Sequence, residues 1–188
     1  RTELGDVKVA PRLKDQLQKQ TDQRPLESLW GLKAIGACDD ALAVEQLEHA
    51  QAGVRDWTAR LLGDQKAISG ALALKLAAVA SKEPDVDTRS QLACTAKRLS
   101  AAQGLPIVAA LCRHDADSDD IHLPLLLWWA VESQADSDRD AVLAMFNDPS
   151  LWSEPLVSKT LRPRHRRPSA PPRSRGGTTP FATSRRAP

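Results

Sequence analysis

Two stretches, Trp30-Gly-Leu-Lys-Ala-Ile-Gly36 and Trp57-Thr-Ala-Arg-Leu-Leu-Gly63, share the pattern W-x5-G and lie 27 residues apart. Each is followed by a polar link and then by a second amphipathic pattern, over residues 41–50 and 67–81. The same helical segment therefore occurs twice, each time as the first half of a helix pair. Because one pair cannot bury its apolar face alone, repeated pairs predict stacked hairpins that share one continuous core.

Two further helix pairs follow the same plan. The third begins at Val86-Asp-Thr-Arg89, whose arginine lies 34 residues after Arg55, and continues with residues 103–113. The fourth joins residues 121–133 to residues 139–146. Helix pairs that recur at intervals of roughly 27–37 residues predict an α-solenoid of HEAT-like hairpins, and an irregular helical bundle is the alternative.

The rest of the pattern is helical as well. Apolar residues recur at helical spacing through most of residues 7–160, as at Ile68, Leu72, Leu76 and Val79, and no strand-like alternation is present. We therefore predict an all-α fold of about nine or ten helices, most of them 10–16 residues long.

Capping residues mark the predicted helix boundaries. Prolines suit the first turn, where a missing N–H has no cost, and they occur at Pro11, Pro25, Pro106 and Pro149. Aspartate or serine before an apolar run predicts N-caps at Asp39 or Asp40, Asp85, Asp119 or Asp120, and Ser137. Glycine predicts helix ends at Gly36, Gly63 and Gly104.

The composition changes abruptly at residue 162. Residues 162–188 contain eight arginines, six prolines and no acidic residue, whereas residues 1–161 contain 18 basic and 24 acidic residues, a net charge of −6. The arginine-rich tail is predicted to be disordered. It is interpreted either as the product of a frame slip in a GC-rich gene or as a basic arm for phosphate backbones. Residues 25–161 are predicted to form the repeat domain, and residues 1–24 an N-terminal helix or the end of a preceding repeat.

No membrane-spanning helix is predicted. The longest wholly apolar run, Leu123–Val131, has nine residues, and a spanning helix needs roughly 20. The chain starts at Arg1 without a signal segment, which suggests a processed chain or a fragment. Trp128 and Trp129 follow a run of leucines, so we predict that both pack in the core, and stacking on a base or a sugar is the alternative.

Neither a metal site nor a catalytic site is predicted. No residue is therefore a candidate for catalysis, cofactor binding or metal ligation. Cys38, Cys94 and Cys112 form no C-x-x-C pair and are expected to be buried free thiols. The acidic stretch from His114 to His122 has the carboxylate spacing of a calcium loop but lacks its glycine and its final glutamate. We interpret this stretch as a solvated link whose last aspartate caps the next helix. No nucleotide-binding loop and no nucleophile elbow are present.

Two parts of the chain resemble known families. The region from Trp30 to Asp64, with Gly53-Val-Arg-Asp-Trp-Thr-Ala-Arg-Leu-Leu-Gly-Asp64, resembles a HEAT-like repeat of the phycobilisome-lyase type. The acidic link His114–Asp120, followed by Leu123-Pro-Leu-Leu-Leu-Trp-Trp-Ala-Val-Glu132, resembles the helical middle of bacterial putative membrane-bound dehydrogenases. That family combines a β-propeller dehydrogenase domain, helical repeats and a c-type cytochrome haem domain. The resemblance covers roughly residues 25–160.

The resemblance implies a function for the whole parent protein and none for a residue of this chain. The sequence has neither propeller strands nor a haem attachment motif, so the c-type haem belongs to the parent family alone, and no cofactor is expected in this segment. An extracytoplasmic, membrane-associated bacterial location is implied. We therefore expect a non-catalytic helical scaffold, the spacer between propeller and haem domain of a fragmentary dehydrogenase.

The alternative is a stand-alone HEAT-like protein-interaction module that presents its concave face to a partner. The expected partners are flanking or separate protein domains. No small-molecule substrate is expected, and nucleic acid is not expected either, because the tail lacks interleaved stacking groups. An enzyme in its own right has no sequence feature in its favour.

Overall fold

The computed structural model describes residues 7–161, and this part of the chain is helical and contains no strand. The all-α prediction is confirmed. The helices are α1 (Ala10–Lys19), α2 (Arg24–Ala34), α3 (Asp40–Gln46), α4 (Ala52–Asp64), α5 (Gly70–Ala80), α6 (Val86–Arg98), α7 (Ala101–Leu111), α8 (Leu123–Ala135), α9 (Arg139–Met145) and α10 (Pro155–Thr160). Short 3-10 turns occupy Val7–Val9, Asp115–Asp119 and Pro149–Ser153. The predicted disordered tail lies outside the described residues.

Helices that are two apart along the chain pack side by side. The first series is α2, α4, α6 and α8, and the second is α3, α5, α7 and α9. The chain alternates between the two series, while α1 packs against α2 and α10 packs against α8. None of the described helices is long and apolar enough to span a bilayer. An α-solenoid has this neighbour-to-neighbour order too, and the solenoid itself stays a prediction.

Hydrogen bonds join each helix pair to the one before it. The Thr95 hydroxyl on α6 donates to the carbonyl of Ala59 on α4 at 2.9 Å. The Gln134 side-chain amide on α8 donates to the carbonyl of Leu99 at the end of α6, also at 2.9 Å. Thr95 and Gln134 are both buried, so each hydrogen bond satisfies groups that water does not reach.

Two ion pairs, one partly buried and one buried, repeat the same geometry, and we call them the arginine ladder. Arg55 on α4 binds Glu83 in the link before α6, with Nε–Oε2 and Nη2–Oε1 distances of 2.8 and 2.5 Å. Arg89 on α6 binds Asp117 in the link before α8, with Nε–Oδ2 and Nη2–Oδ1 distances of 2.6 and 2.5 Å. Arg89 also donates to the carbonyl of Glu83 at 2.8 Å, which connects the two pairs. Both are bidentate contacts, the geometry in which arginine binds a carboxylate most strongly.

The buried apolar side chains form two clusters and not the single continuous core that the sequence predicts. The smaller cluster contains Leu17, Leu29, Leu42 and Val54, and the larger one runs from Ala43 to Val157. The division falls at α3 and α4, because each of these helices gives some side chains to one cluster and some to the other. The first helix pair is therefore a partly separate packing unit.

Two of the predicted N-caps, Asp39 and Asp85, are confirmed, whereas the N-cap position of α8 is His122 and not Asp119 or Asp120. The Asp39 carboxylate accepts the N–H of Leu42 at 2.8 Å, and the Asp85 carboxylate accepts the N–H of Thr88 at the same distance. Asp120 accepts the N–H of Leu123 at the start of α8 at 2.7 Å. Each carboxylate satisfies a backbone donor that has no partner inside its helix. The expected N-cap at Ser137 is wrong by one residue, because Asp138 accepts the N–H of Ala141 instead.

The predicted boundaries of α7 are wrong. Gly104 and Pro106 lie inside this helix, whereas the sequence places them at a helix end and a helix start. A Cβ atom at Gly104 would lie 2.3 Å from the carbonyl oxygen of Ala96 on α6. The glycine is therefore required by the close contact of two helices. Gly36, by contrast, ends α2 as predicted, with a φ of 73° that favours glycine.

The capped helix starts predict sensitivity to acid. The N–H of Thr88 holds the pKa of Asp85 below its usual value, and the N–H of Leu123 does the same for the pKa of Asp120. A carboxyl group whose pKa is lowered by folding stabilises the fold above its unfolded pKa, and this stabilisation is lost as the pH falls. We expect the free energy of unfolding in urea to be smaller at about pH 3 than at about pH 7.

The control variant carries Asp85→Asn and Asp120→Asn. Asparagine caps a helix as well as aspartate does but has no proton to gain, so the pH dependence should become smaller. An unchanged difference between the two pH values would show that other groups cause the acid sensitivity.

Candidate functional site

Four of the five tryptophans lie on the helices of the first series. Trp30 on α2 is 37% exposed, and Trp57 on α4 is half-buried. Trp128 and Trp129 on α8 are 40% and 39% exposed, so the prediction that this pair packs in the core is wrong. Large aromatic surfaces that remain in contact with water are typical of sites that bind another molecule.

The reason for the error lies in how α8 packs. This helix buries one face, with Leu123, Leu127 and Val131, against its neighbours. Leu125 and Trp128 lie on the other side and are 46% and 40% exposed. An apolar helix is normally covered all round, but within residues 7–161 this side of α8 stays partly exposed to water.

The first two tryptophans form one aromatic unit with a cation above it. The rings of Trp30 and Trp57 meet edge to face, with centroids 4.8 Å apart and an angle of 73° between the planes. The guanidinium carbon of Arg60 lies 4.7 Å from the centroid of the Trp57 ring. Both distances fall within the range of favourable aromatic and cation–π contacts.

A second cation–π pair lies farther along the same series of helices. The ammonium group of Lys97 on α6 lies 5.4 Å from the centroid of the Trp129 ring on α8. The half-buried thiol of Cys94 lies on α6. Its pKa is raised by burial; the charges of Arg98, Lys97 and Arg60 lower it to a smaller extent, and the charge of Asp56 raises it.

We call this surface the tryptophan–cation face and define it by Trp30, Trp57, Arg60, Lys97 and Trp129. Within residues 7–161, neither Arg60 nor Lys97 lies within ion-pair distance of a carboxylate; each has an indole ring as its partner. Within residues 7–161 some other exposed cations, such as Arg139, also form no ion pair, whereas the remaining ones have carboxylate partners. The carboxylates in such pairs are Asp15, Asp22, Glu48, Asp64, Asp119, Asp148 and Glu154.

One acidic side chain lies next to this face. Asp56 is half-buried on α4, and burial raises its pKa while the charge of Arg60 opposes that change. Asp56 therefore lies close enough to Arg60 for the two charges to interact.

The acidic link before α8 is structural. Asp117 is only 2% exposed and pairs with Arg89, so the prediction of a fully solvated link is wrong at this residue. Asp119 forms an exposed ion pair with Lys159 at 2.6 Å. Within the described residues, no three histidine, cysteine, aspartate or glutamate side chains converge in a way that could hold a metal ion.

The three cysteines are free thiols, as predicted. Cys112 is fully buried, and burial raises its pKa to about 12. Cys38 and Cys94 are half-buried rather than buried, and desolvation raises their pKa values too. All three are therefore protonated at neutral pH and react weakly as nucleophiles.

An apolar groove lies between α7 and α9. It has a volume of about 370 Å³ and is lined by small apolar side chains that include Ala101, Ala102, Leu105, Pro106, Ala141 and Met145. None of the side chains that line it is titratable.

Comparison with protein-family models, with curated proteins and with solved structures finds no match to this chain. The resemblance to the helical part of membrane-bound dehydrogenases therefore stays a prediction.

Proposed function

We propose that this chain is a non-catalytic helical scaffold that holds protein domains at a set separation. The arginine ladder is the observation that carries the proposal. Glu83 and Asp117 lie in the links that join one helix pair to the next, and each is held by an arginine of the preceding pair. A link cannot move away from its helix without separating a buried or partly buried ion pair, which is strongly unfavourable.

The resemblance stated above supports a specific place for this scaffold. As the spacer of a membrane-bound dehydrogenase, it would stand between the dehydrogenase propeller and the c-type haem domain. Oxidation and electron transfer would take place in those domains and not in residues 25–161. The coding sequence on either side of these residues tests the assignment. We expect propeller strands upstream and a C-x-x-C-H motif downstream, and the absence of both would contradict it.

The rigidity of the scaffold is tested by a distance measurement. Cysteines are placed at two exposed positions, Glu27 on α2 and Glu132 on α8, and carry spin labels. Pulsed electron paramagnetic resonance then measures the distance between the two labels. Cys38 and Cys94 are replaced by alanine, and the fully buried Cys112 stays. We expect one narrow distance distribution, because α3 and α4 contribute to both apolar clusters and buried hydrogen bonds join α4, α6 and α8. A broad distribution or two distances would contradict a scaffold of fixed length.

A second candidate function is supported by the tryptophan–cation face. Exposed tryptophan and arginine side chains are typical of the residues that contribute most to protein–protein binding. On this proposal the chain is an interaction module, and its binding surface lies on the first series of helices.

A further inference from the structure

We propose that the tryptophan–cation face binds an acidic protein segment. This inference rests on the second function proposed above and names the partner class for that surface. Three features of the molecule support it: the charge of the face, its aromatic surface and the net charge of residues 1–161.

The first feature is charge complementarity. Arg60 and Lys97 are exposed cations that have no carboxylate partner within residues 7–161, although acidic residues outnumber basic ones in residues 1–161. Asp56 is an acidic neighbour of Arg60, but the two side chains form no ion pair. The face therefore offers two cations that form no ion pair within residues 7–161, with one half-buried carboxyl group near Arg60. Carboxylates of a partner can pair with these cations at little cost in desolvation, because both cations remain in contact with water.

The second feature is the aromatic surface. Trp30 and Trp129 are more than one-third exposed, and each is part of a contact that fixes its ring, with Trp57 or with Lys97. A ring that is already held loses little conformational entropy when a partner packs on it. An acidic segment with apolar side chains can therefore contact the cations and the rings together.

The third feature is the net charge, which separates a protein segment from a nucleic acid. Residues 1–161 carry a net charge of −6, so this part of the chain, without the eight arginines of residues 162–188, repels a long polyanion such as a nucleic acid. A short acidic segment interacts mainly with charges within about 8 Å, since salt screens the more distant ones. The observations therefore favour a short acidic peptide over a nucleic acid.

The test uses the full chain and the indole N–H signals of its five tryptophans in ¹H–¹⁵N NMR spectra. The probes are an oligoglutamate peptide and oligothymidylate. The eight arginines of residues 162–188 can bind either probe without involving the face. The readout is therefore the NMR signals of Trp57 and Trp129 and not the total affinity of the chain for the probe. We expect oligoglutamate to shift both signals, and to leave unchanged the signal of Trp152, which donates to the carbonyl of Phe146.

Two variants give the test its control. The double variant Arg60→Glu and Lys97→Glu should raise the peptide concentration needed for half of the Trp57 and Trp129 shifts about tenfold. Arg139→Glu changes one exposed cation on α9, in the second series, and should leave these shifts unchanged. Circular dichroism confirms that each variant keeps its helices.

Any of three results would overturn the proposal. The first is that oligoglutamate leaves the Trp57 and Trp129 signals unchanged, and the second is that oligothymidylate shifts them at the same or a lower concentration. The third is that Arg139→Glu weakens the shifts as much as the double variant does. A narrow distance between the two spin labels together with unmoved indole signals would retain the scaffold and reject the acidic partner.

Discussion

Replacement of Asp117 by alanine is expected to lower the free energy of unfolding by about 3–5 kcal/mol. Arg89 and Asp117 are 7% and 2% exposed, and they form the second ion pair of the arginine ladder. Removal of the carboxylate leaves a buried guanidinium that water does not reach, and it also frees the link before α8. Urea unfolding followed by circular dichroism measures the loss.

An exposed pair of the same kind is the control. Arg98 and Asp64 form an ion pair whose side chains are 42% and 52% exposed, so Asp64→Ala should cost at most about 1 kcal/mol. The combined change Arg89→Met and Asp117→Leu should restore most of the stability, because no buried charge remains. Similar losses for Asp117→Ala and Asp64→Ala would show that burial of the pair is unimportant.

The second large effect is expected at Gly104. A methyl group at this position would lie 2.3 Å from the carbonyl oxygen of Ala96, a backbone atom that cannot move without shifting α6. Gly104→Ala should therefore lower the free energy of unfolding by about 1–3 kcal/mol, although alanine is the better helix former.

Gly53 on α4 is the matched control, because a Cβ there would meet nothing within 4 Å. Gly53→Ala should raise the free energy of unfolding by about 0.5–1 kcal/mol. If both glycine variants changed stability in the same direction, the close approach of α6 and α7 would not be the reason for Gly104.

Local chemistry was sufficient to predict the helical fold and several of its boundaries. The carboxylates of Asp39 and Asp85 cap helices as expected, that of Asp120 accepts the first N–H of α8, and Gly36 ends α2. These features depend on hydrogen bonds or backbone angles within a few residues. Such short-range effects are present in the sequence pattern itself.

Features that depend on contacts between helices could not be predicted in the same way. Glycine is typical of a helix end, but Gly104 is required by its close contact with Ala96 on the neighbouring helix. Trp128 and Trp129 lie in an apolar segment that is typical of a protein core, but their exposure depends on what packs beside α8. The pattern of one helix does not contain the position of the next.

The spacing of residues in the sequence contains a signal for the arginine ladder. Arg55 and Arg89 are 34 residues apart, and so are Glu83 and Asp117, which places an acidic residue 28 positions after each arginine. A pair that recurs at the repeat interval predicts a contact between neighbouring repeats. The tryptophan–cation face has a weaker signal of this type, because Trp30 and Trp57 are each followed three residues later by a cation.

The central claim is that the ion pairs of the arginine ladder join successive helix pairs into one unit. Hydrogen exchange followed by mass spectrometry on the native chain and on Asp117→Ala tests this claim directly. We expect α4, α6 and α8 to lose protection together in the variant, because Arg89 contacts both Asp117 and the link that holds Arg55. A loss confined to Asp115–Asp119, with α4 and α6 protected as before, would contradict the account.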